Sequence, residues 1–470
     1  MDGISPDWVK SLVIAEVRIE TATEAGTFQA ATQVLDHYAE MSVNGLWITP
    51  VYERGSKGNG YGNFGPHTIE PLLTGAKDTA GSFAVVRRFV DEAHRRKIRV
   101  FFDIVAWGTR TDSPLVSEHP EFYKRVDGDF WKIWSGYGFD WEHTGFRAWY
   151  RQAAVDFILK TGADGFRVDL APDISGYFFA EVRSELLKQG RKIAVICEMP
   201  GERRDAFDFE QIGVTGWTEE PDYAHPEKLQ QQKERFGKPW EYLLRNNLVD
   251  AVKEGRGIGK ATLQQRGNGG RYRYYTANLL CHDDAEPAAK GSRVSFAYAT
   301  LFGPFIPMWW IGEEWNNPKK LLPDPSAGGV LYGNTIDWAA MKQPENAAFY
   351  EDIKRYLKIR WSYPQVFEHF PASLRDANLV KVDSSLDGAP NSLQAYARTA
   401  PGMAVVIVPN AGDANAKVRV SLDAAALGIP EALRVTDLLN GQPVLLEEGK
   451  VFIADIQAQH LGVYRVESSK

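Results

Sequence analysis

The sequence predicts an α/β chain, a (β/α)8 TIM barrel with a small all-β sandwich after it. Three observations predict this. Near-continuous apolar strands alternate with helix-spaced segments up to about Tyr363. Eight such strands and about eight helices can be counted, and strands of that kind belong to a parallel sheet covered on its outside by helices. After about Pro371 the pattern changes to short, alternating, turn-separated runs, which read as antiparallel strands. The division is therefore 1–370 for the barrel and 371–470 for the sandwich.

In order, the barrel strands are expected at Leu12–Ile19, Val43–Val51, Ile98–Val105, Gly165–Leu170, Lys192–Cys197, Val214–Thr218, Tyr274–Leu280 and Phe305–Trp310. Helices are expected at Phe28–Met41, Phe83–Arg96, Phe146–Lys160, Tyr177–Lys188, Trp240–Glu254, Ser292–Leu301 and Ala347–Arg360. The first has Ala31, Val34, Leu35, Tyr38 and Met41 at the spacing of one helical face. A long irregular insert, about 106–144, follows strand 3, and connections of that length are usually functional. It brings Trp131, Trp134, Tyr137 and Trp141, which either pack the insert or line a site. Sandwich strands are expected at Leu379–Val382, Ser392–Arg398, Met403–Pro409, Ala416–Leu422, Arg434–Asp437 and His460–Val466.

Composition narrows the class. The chain has 470 residues, 44% hydrophobic and 24% charged, which is ordinary globular material. A net charge of −7 does not suggest a nucleic-acid partner. The two cysteines, Cys197 and Cys281, fall in expected buried strands and read as reduced small hydrophobes, with no disulfide framework. The longest uncharged run, Val294 to Gly312, is broken by Gly303, Pro304 and Pro307, so a helix then a buried strand is expected, not a membrane span. No signal peptide is visible, which points to a cytoplasmic protein, or an exported one whose leader is already cleaved. Trp, Tyr and Phe number 14, 19 and 24, and serve a core or a sugar-binding cleft equally well.

The polar residues carry the chemistry. In Gly165-Phe166-Arg167-Val168-Asp169, period-2 alternation puts Arg167 and Asp169 on one side of a strand. A guanidinium beside a carboxylate favours its ionised form, as a carboxylate nucleophile requires, and a purely structural ion pair would look the same. Other apolar strands also end in charge: Asp103 on strand 3, Glu198 on strand 5, and His282, Asp283 and Asp284 on strand 7. Active sites of such barrels lie at the C-terminal ends of the strands. Like charges gathered there are costly, and a packing role does not account for them. Paired carboxylates suit glycoside hydrolysis. Carboxylates with one His also suit a metal, a reading weakened by the positive charge Arg167 already supplies.

Taken together, Gly165-Phe166-Arg167-Val168-Asp169, Glu198 after Val195-Ile196-Cys197, and His282-Asp283 after Asn278-Leu279-Leu280-Cys281 resemble motifs of the α-amylase family of glycoside hydrolases (family 13-like). Val100-Phe101-Phe102-Asp103-Ile104-Val105, Trp47-Ile48-Thr49-Pro50-Val51-Tyr52 with Gly60-Tyr61 and Ile69-Glu70-Pro71, and Ile311-Gly312-Glu313-Glu314 resemble further segments of that family. The likeness covers about Leu12 to Tyr363.

The resemblance implies a retaining enzyme acting on α-glycosidic bonds of oligo- or polysaccharides, by hydrolysis or by transfer. Asp169 would be the nucleophile, Glu198 the general acid and base with a raised pKa, and Asp283 the transition-state stabiliser. Arg167 would orient Asp169, His282 would hydrogen-bond the reacting sugar, Tyr61 would stack on it, and Asp103 would be structural beside Arg167. The departures are as informative. Trp107-Gly108 stands where the family's strand-3 motif has Asn-His, so no family-type calcium site and no other cofactor is expected. Gly62 replaces a frequent Asp, and Pro172-Asp173 replaces a frequent Lys-His. A non-standard sugar or linkage, held partly by Trp107, is expected, unless Arg110 or His67 supplies the missing contacts. A glycoside isomerase and a non-catalytic carbohydrate-binding relative remain as other readings.

Overall fold

The computed structural model describes residues 5–54, 60–134, 136–169, 176–198, 207–210, 227, 249, 253, 276–278, 282, 293–317, 322–324, 329–331, 334–371, 374–386, 389–390, 395–410, 412–430 and 432–469. Eight parallel strands build the barrel: β1 Ile14–Val17, β2 Gly45–Ile48, β3 Arg99–Val105, β4 Gly165–Asp169, β5 Ala194–Cys197, β6 Phe209–Glu210, β7 Thr276–Asn278 and β8 Ile306–Trp310. Their order is β6-β5-β4-β3-β2-β1-β8-β7, the sequential order of a barrel wall whose first and last strands pair.

Helices cover the outside. They include α1 Phe28–Met41, α2 Thr79–Arg95, α3 Thr144–Thr161, α4 Gly176–Lys188, α5 Arg293–Ala297 and α6 Pro344–Ser362. Their starts are capped as the sequence allows. Thr27, Asp78 and His143 accept from Ala30 N–H, Gly81 N–H and Phe146 N–H respectively. The face of α1 expected from spacing is the buried one. No described helix is long and apolar enough to cross a membrane.

Three expectations are corrected. The sixth strand is Phe209–Glu210, not Val214–Thr218; the latter lies outside the described residues. Only eleven residues separate it from β5, and buried Asp208 fixes the link by accepting from Val195 N–H at 2.8 Å and pairing with Arg183 at 3.1 Å. The insert after β3 is not irregular. Gly108–Arg110, Gly136–Gly138 and Lys132–Ile133 form a three-stranded antiparallel sheet, with a second hairpin at Arg125–Val126 and Asp129–Phe130. The helix expected at Ser292–Leu301 is α-helical only to Ala297 and continues as a π turn, Tyr298–Phe302. The helix expected at Trp240–Glu254 falls mostly outside the described residues.

Antiparallel strands follow: β9 Leu379–Leu386, β10 Ala395–Ala400, β11 Met403–Asn410, β12 Ala416–Ser421, β13 Leu433–Asp437, β14 Val451–Ile456 and β15 His460–Ser468. Strand β9 joins two sheets, since Leu379–Val382 pairs with β10 and Asp383–Leu386 with β12. A separate apolar core including Val406, Val420, Phe452 and Val466 fills the space between them. Buried Arg398 ties this sandwich to the barrel. It donates to the carbonyls of Phe302 at 3.2 Å and Val366 at 2.9 Å, to that of Gly303, and to Asn378 Oδ1 at 2.9 Å.

Inside the barrel, alternation sorts the inward positions by depth. Ile14, Phe101, Ala194, Ile196, Phe209, Ile306 and Met308 form one interior cluster with Trp47. Gly165 lies in this layer without a side chain; a Cβ there would collide with the Ala194 carbonyl oxygen and meet Phe101. Two residues further along each strand the inward positions become Glu16, Asp103, Arg167 and Glu198. The apolar floor thus ends where the polar site begins.

Candidate active site

Register brings the site together. Asp103 on β3 and Arg167 on β4 are direct partners, as are Val105 and Asp169, and Glu198 N–H bonds back to Val168 O at 3.0 Å. Arg167, wholly buried, reaches three carboxylates. Its Nη1 donates to Asp103 Oδ1 at 3.0 Å and Oδ2 at 3.1 Å, and to Asp169 Oδ1 at 2.8 Å. Its Nη2 lies 3.1 Å from Glu198 Oε2. The guanidinium also stands over the Trp47 ring, 4.8 Å from its centroid. Glu198 is the most open of the three carboxylates, its side chain 14% exposed against 7% for Asp169 and 0% for Asp103.

The electrostatics differ from the expectation that Arg167 alone holds Asp169 ionised. Burial and the nearby charge of Glu198 push the Asp169 carboxyl well above the usual carboxylate range, with Arg167 opposing. Burial likewise lifts Asp103 to about 6 against the pull of Arg167 and Tyr61. The single guanidinium is shared among three carboxylates, so it does not fully offset the burial of Asp103 and Asp169.

Tyr61 and His282 close the other side. Tyr61 Oη donates to Asp103 Oδ2 at 2.7 Å, and its ring stacks on His282 at 4.9 Å and 19°. One face of Tyr61 is therefore covered by an imidazole, where the sequence suggested a ring free to lie on a sugar. Trp107, 8% exposed, packs with Tyr61, Val105 and Ile133, at the mouth of the same group. Of the residues expected at the site, Tyr61, Asp103, Arg167, Asp169, Glu198 and His282 come together and Trp107 joins through Tyr61. Asp283 lies outside the described residues. Arg110 is turned to Asp112 at 2.9 Å, and His67 rests edge-on to Trp149.

Two contributors escaped the sequence reading. Glu16 on β1 is buried; its Oε2 accepts from His282 N–H at 3.2 Å, and its Oε1 lies 2.5 Å from His282 Nδ1. It thereby holds both the backbone and the ring of the residue preceding Asp283. Trp47 on β2 donates from Nε1 to Asp103 Oδ2 at 3.2 Å as well as carrying Arg167 on its face. Glu16 shows the signal used elsewhere, a charge at the end of an apolar strand.

Residues 18–137 match the model of the alpha amylase catalytic domain. The chain is 24% identical to alpha-amylase MalA of Haloarcula japonica over 93% of its own length. The chain is thus similar to α-amylase catalytic domains over residues 18–137, and its fold is the TIM barrel of such enzymes. It spans 59% of the length of that Haloarcula relative. A second relative, malto-oligosyltrehalose trehalohydrolase of a Rhizobium species, is 22% identical over 75% of this chain and 68% of its own. Among solved structures, the noncanonic maltogenic alpha-amylase AmyB of Thermotoga neapolitana superposes with a TM-score of 0.69 at 18% identity, covering 97% of this chain and 99% of that one.

Trp107 occupies the Asn place of the strand-3 motif, offers no oxygen, and has its indole among Tyr61, Val105 and Ile133. Among the described residues no group of three or more His, Cys, Asp or Glu side chains is gathered to hold an ion.

Proposed function

We propose that the chain cleaves or transfers α-glycosidic bonds of oligo- or polysaccharides with retention of configuration. The observation that carries this reading is the convergence of Asp169 and Glu198 on the single guanidinium of Arg167. Asp169 attacks the anomeric carbon while Glu198 gives its proton to the departing glycosidic oxygen, leaving a glycosyl–aspartate ester. Glu198, now a carboxylate, takes a proton from water or from a sugar hydroxyl, and that oxygen displaces Asp169. Glu198, the most open of the three carboxylates, is placed to meet the departing oxygen. Arg167 and Asp103 orient the nucleophile. His282, anchored by Glu16, and Asp283 hold sugar hydroxyls, and Tyr61 and Trp107 form the wall.

The relatives include an alpha-amylase and a trehalohydrolase, and this site departs from the common amylase pattern at Trp107, Gly108 and Gly62. A substrate other than plain starch follows from those departures, because polar groups of an ordinary glucosyl unit would lose partners worth ~1 kcal/mol each. Proton NMR of the first product from a panel of α-linked glycans tests the reading. The α-anomer is expected first, from a glycan other than starch; an initial β-anomer, or amylase-like efficiency on soluble starch, contradicts the corresponding part.

We further propose that activity needs no divalent metal. Dialysis against a chelator is expected to leave rate and melting temperature unchanged. Loss of either, restored by calcium, would refute this.

A further inference from the structure

The insert after β3 ends its short sheet in an unusual turn. Trp134 follows the strand Lys132–Ile133 and has φ of +45°, the left-handed region that a side chain disfavours. It is also 64% exposed. A turn made only to reverse the chain would be served better by Gly or Asn. Both the backbone conformation and the bare indole cost stability, so the fold alone does not account for this residue.

Its neighbours do. The Trp134 ring stands perpendicular to that of Trp107, at 5.1 Å and 82°. Trp107 is fixed beneath it: the tip of its indole lies over Gly136, where a Cβ would come within 3.0 Å. Trp107 then packs against Tyr61, whose hydroxyl is bonded to Asp103. A continuous aromatic track thus runs from the carboxylate group outward and ends in an exposed indole. The other aromatics of the insert are absorbed by packing. Trp131 covers Gly138, Tyr137 rests on Phe130 at 4.9 Å, and Trp141 is buried and donates to the Ala106 carbonyl at 3.0 Å.

Resting on the glycosidase reading, we propose that Trp134, seated on Trp107, is a platform for a pyranose ring of an α-linked oligosaccharide, beyond the sugar being cleaved. Indole rings cover the apolar C–H face of a pyranose, and a rigid exposed Trp does so with little ordering cost. The strained turn holds the ring out from the insert, where a chain leaving the carboxylates would pass it.

The test compares Trp134→Ala and Trp134→Gly with the parent on an α-linked oligosaccharide of several units and on an aryl α-glycoside of one unit. The ratio of kcat/KM for the long substrate to that for the short one is expected to fall about tenfold, through KM, equivalent to about 1.4 kcal/mol. Trp134→Gly is expected to melt no lower than the parent, since it relieves the left-handed residue. Oligosaccharide binding, read by calorimetry in the absence of turnover, is expected to weaken by the same factor. An unchanged ratio and unchanged binding overturn the platform. A parent that binds the oligosaccharide through Trp134 but turns nothing over supports the platform and overturns the glycosidase reading.

Discussion

Asp169→Asn and Glu198→Gln are each expected to lower kcat at least ~10³-fold, the scale of losing a principal catalytic group, and to leave the fold intact. Both replacements keep the shape of the side chain. Asn at 169 still presents an oxygen to Arg167, which now donates to it at 2.8 Å, but it cannot attack the anomeric carbon. Gln at 198 has no proton to give. Because burial and Glu198 raise the Asp169 carboxyl, its charged form opposes folding at neutral pH; Asp169→Asn is therefore expected to melt at or above the parent temperature. The two variants should also differ from each other. Glu198→Gln should retain more activity on substrates with a good leaving group, which needs little protonation. Near-parent activity of Glu198→Gln on a poor leaving group would sink its assignment as the acid.

Arg167→Met is expected to be the most destabilising single change at the site. The guanidinium touches Asp103, Asp169 and Glu198, and removing one partner of a buried charge pair typically costs about 3–5 kcal/mol. The cost depends on pH, and the sign follows from Asp103. Its folded-state pKa of about 6 already lies above the ordinary value, and Arg167 is what restrains it. Without Arg167 it rises further. A carboxyl raised in the folded state adds stability that is complete below its unfolded pKa and is lost as pH climbs through the folded one. The melting-temperature gap between parent and variant is thus expected to be small near about pH 4 and wide near about pH 8. An equal gap at both would show that the guanidinium does not act through these carboxylates.

Much of this was legible along the chain. Period-2 alternation placed Arg167 and Asp169 on one face, and strand-end charges named Asp103, Glu198 and His282. The misses have physical causes. Strand β1 was expected to run to Ile19, which put Glu16 in mid-strand; it ends at Val17, so Glu16 is a strand-end charge after all. Strand β6 is described at Phe209–Glu210, ahead of the more apolar run Val214–Thr218 to which the sequence pattern points. Strand β14 alternates, with Phe452, Ala454 and Ile456 buried, but the charged turn just before it obscures that period in the sequence. Tyr61 stacks on a residue 221 positions away, which no local pattern encodes. The turn at Trp134 is set by how the insert pairs with itself, not by its own preference, which is for the opposite φ.

The bonds of Arg398 bear on more than local packing. The carbonyls it serves belong to the segment leading into β8 and to the stretch after α6, both part of the barrel, while Arg398 itself belongs to β10. Tyr396, two residues earlier on the same strand, meets Phe302 edge-on at 4.8 Å. Each part therefore completes the other's interior. A barrel cut free near residue 371 would expose unbonded carbonyls and a bare aromatic face, a penalty of several hydrogen bonds plus lost burial. Melting is consequently expected as a joint event of barrel and sandwich, and two separate calorimetric transitions would contradict it.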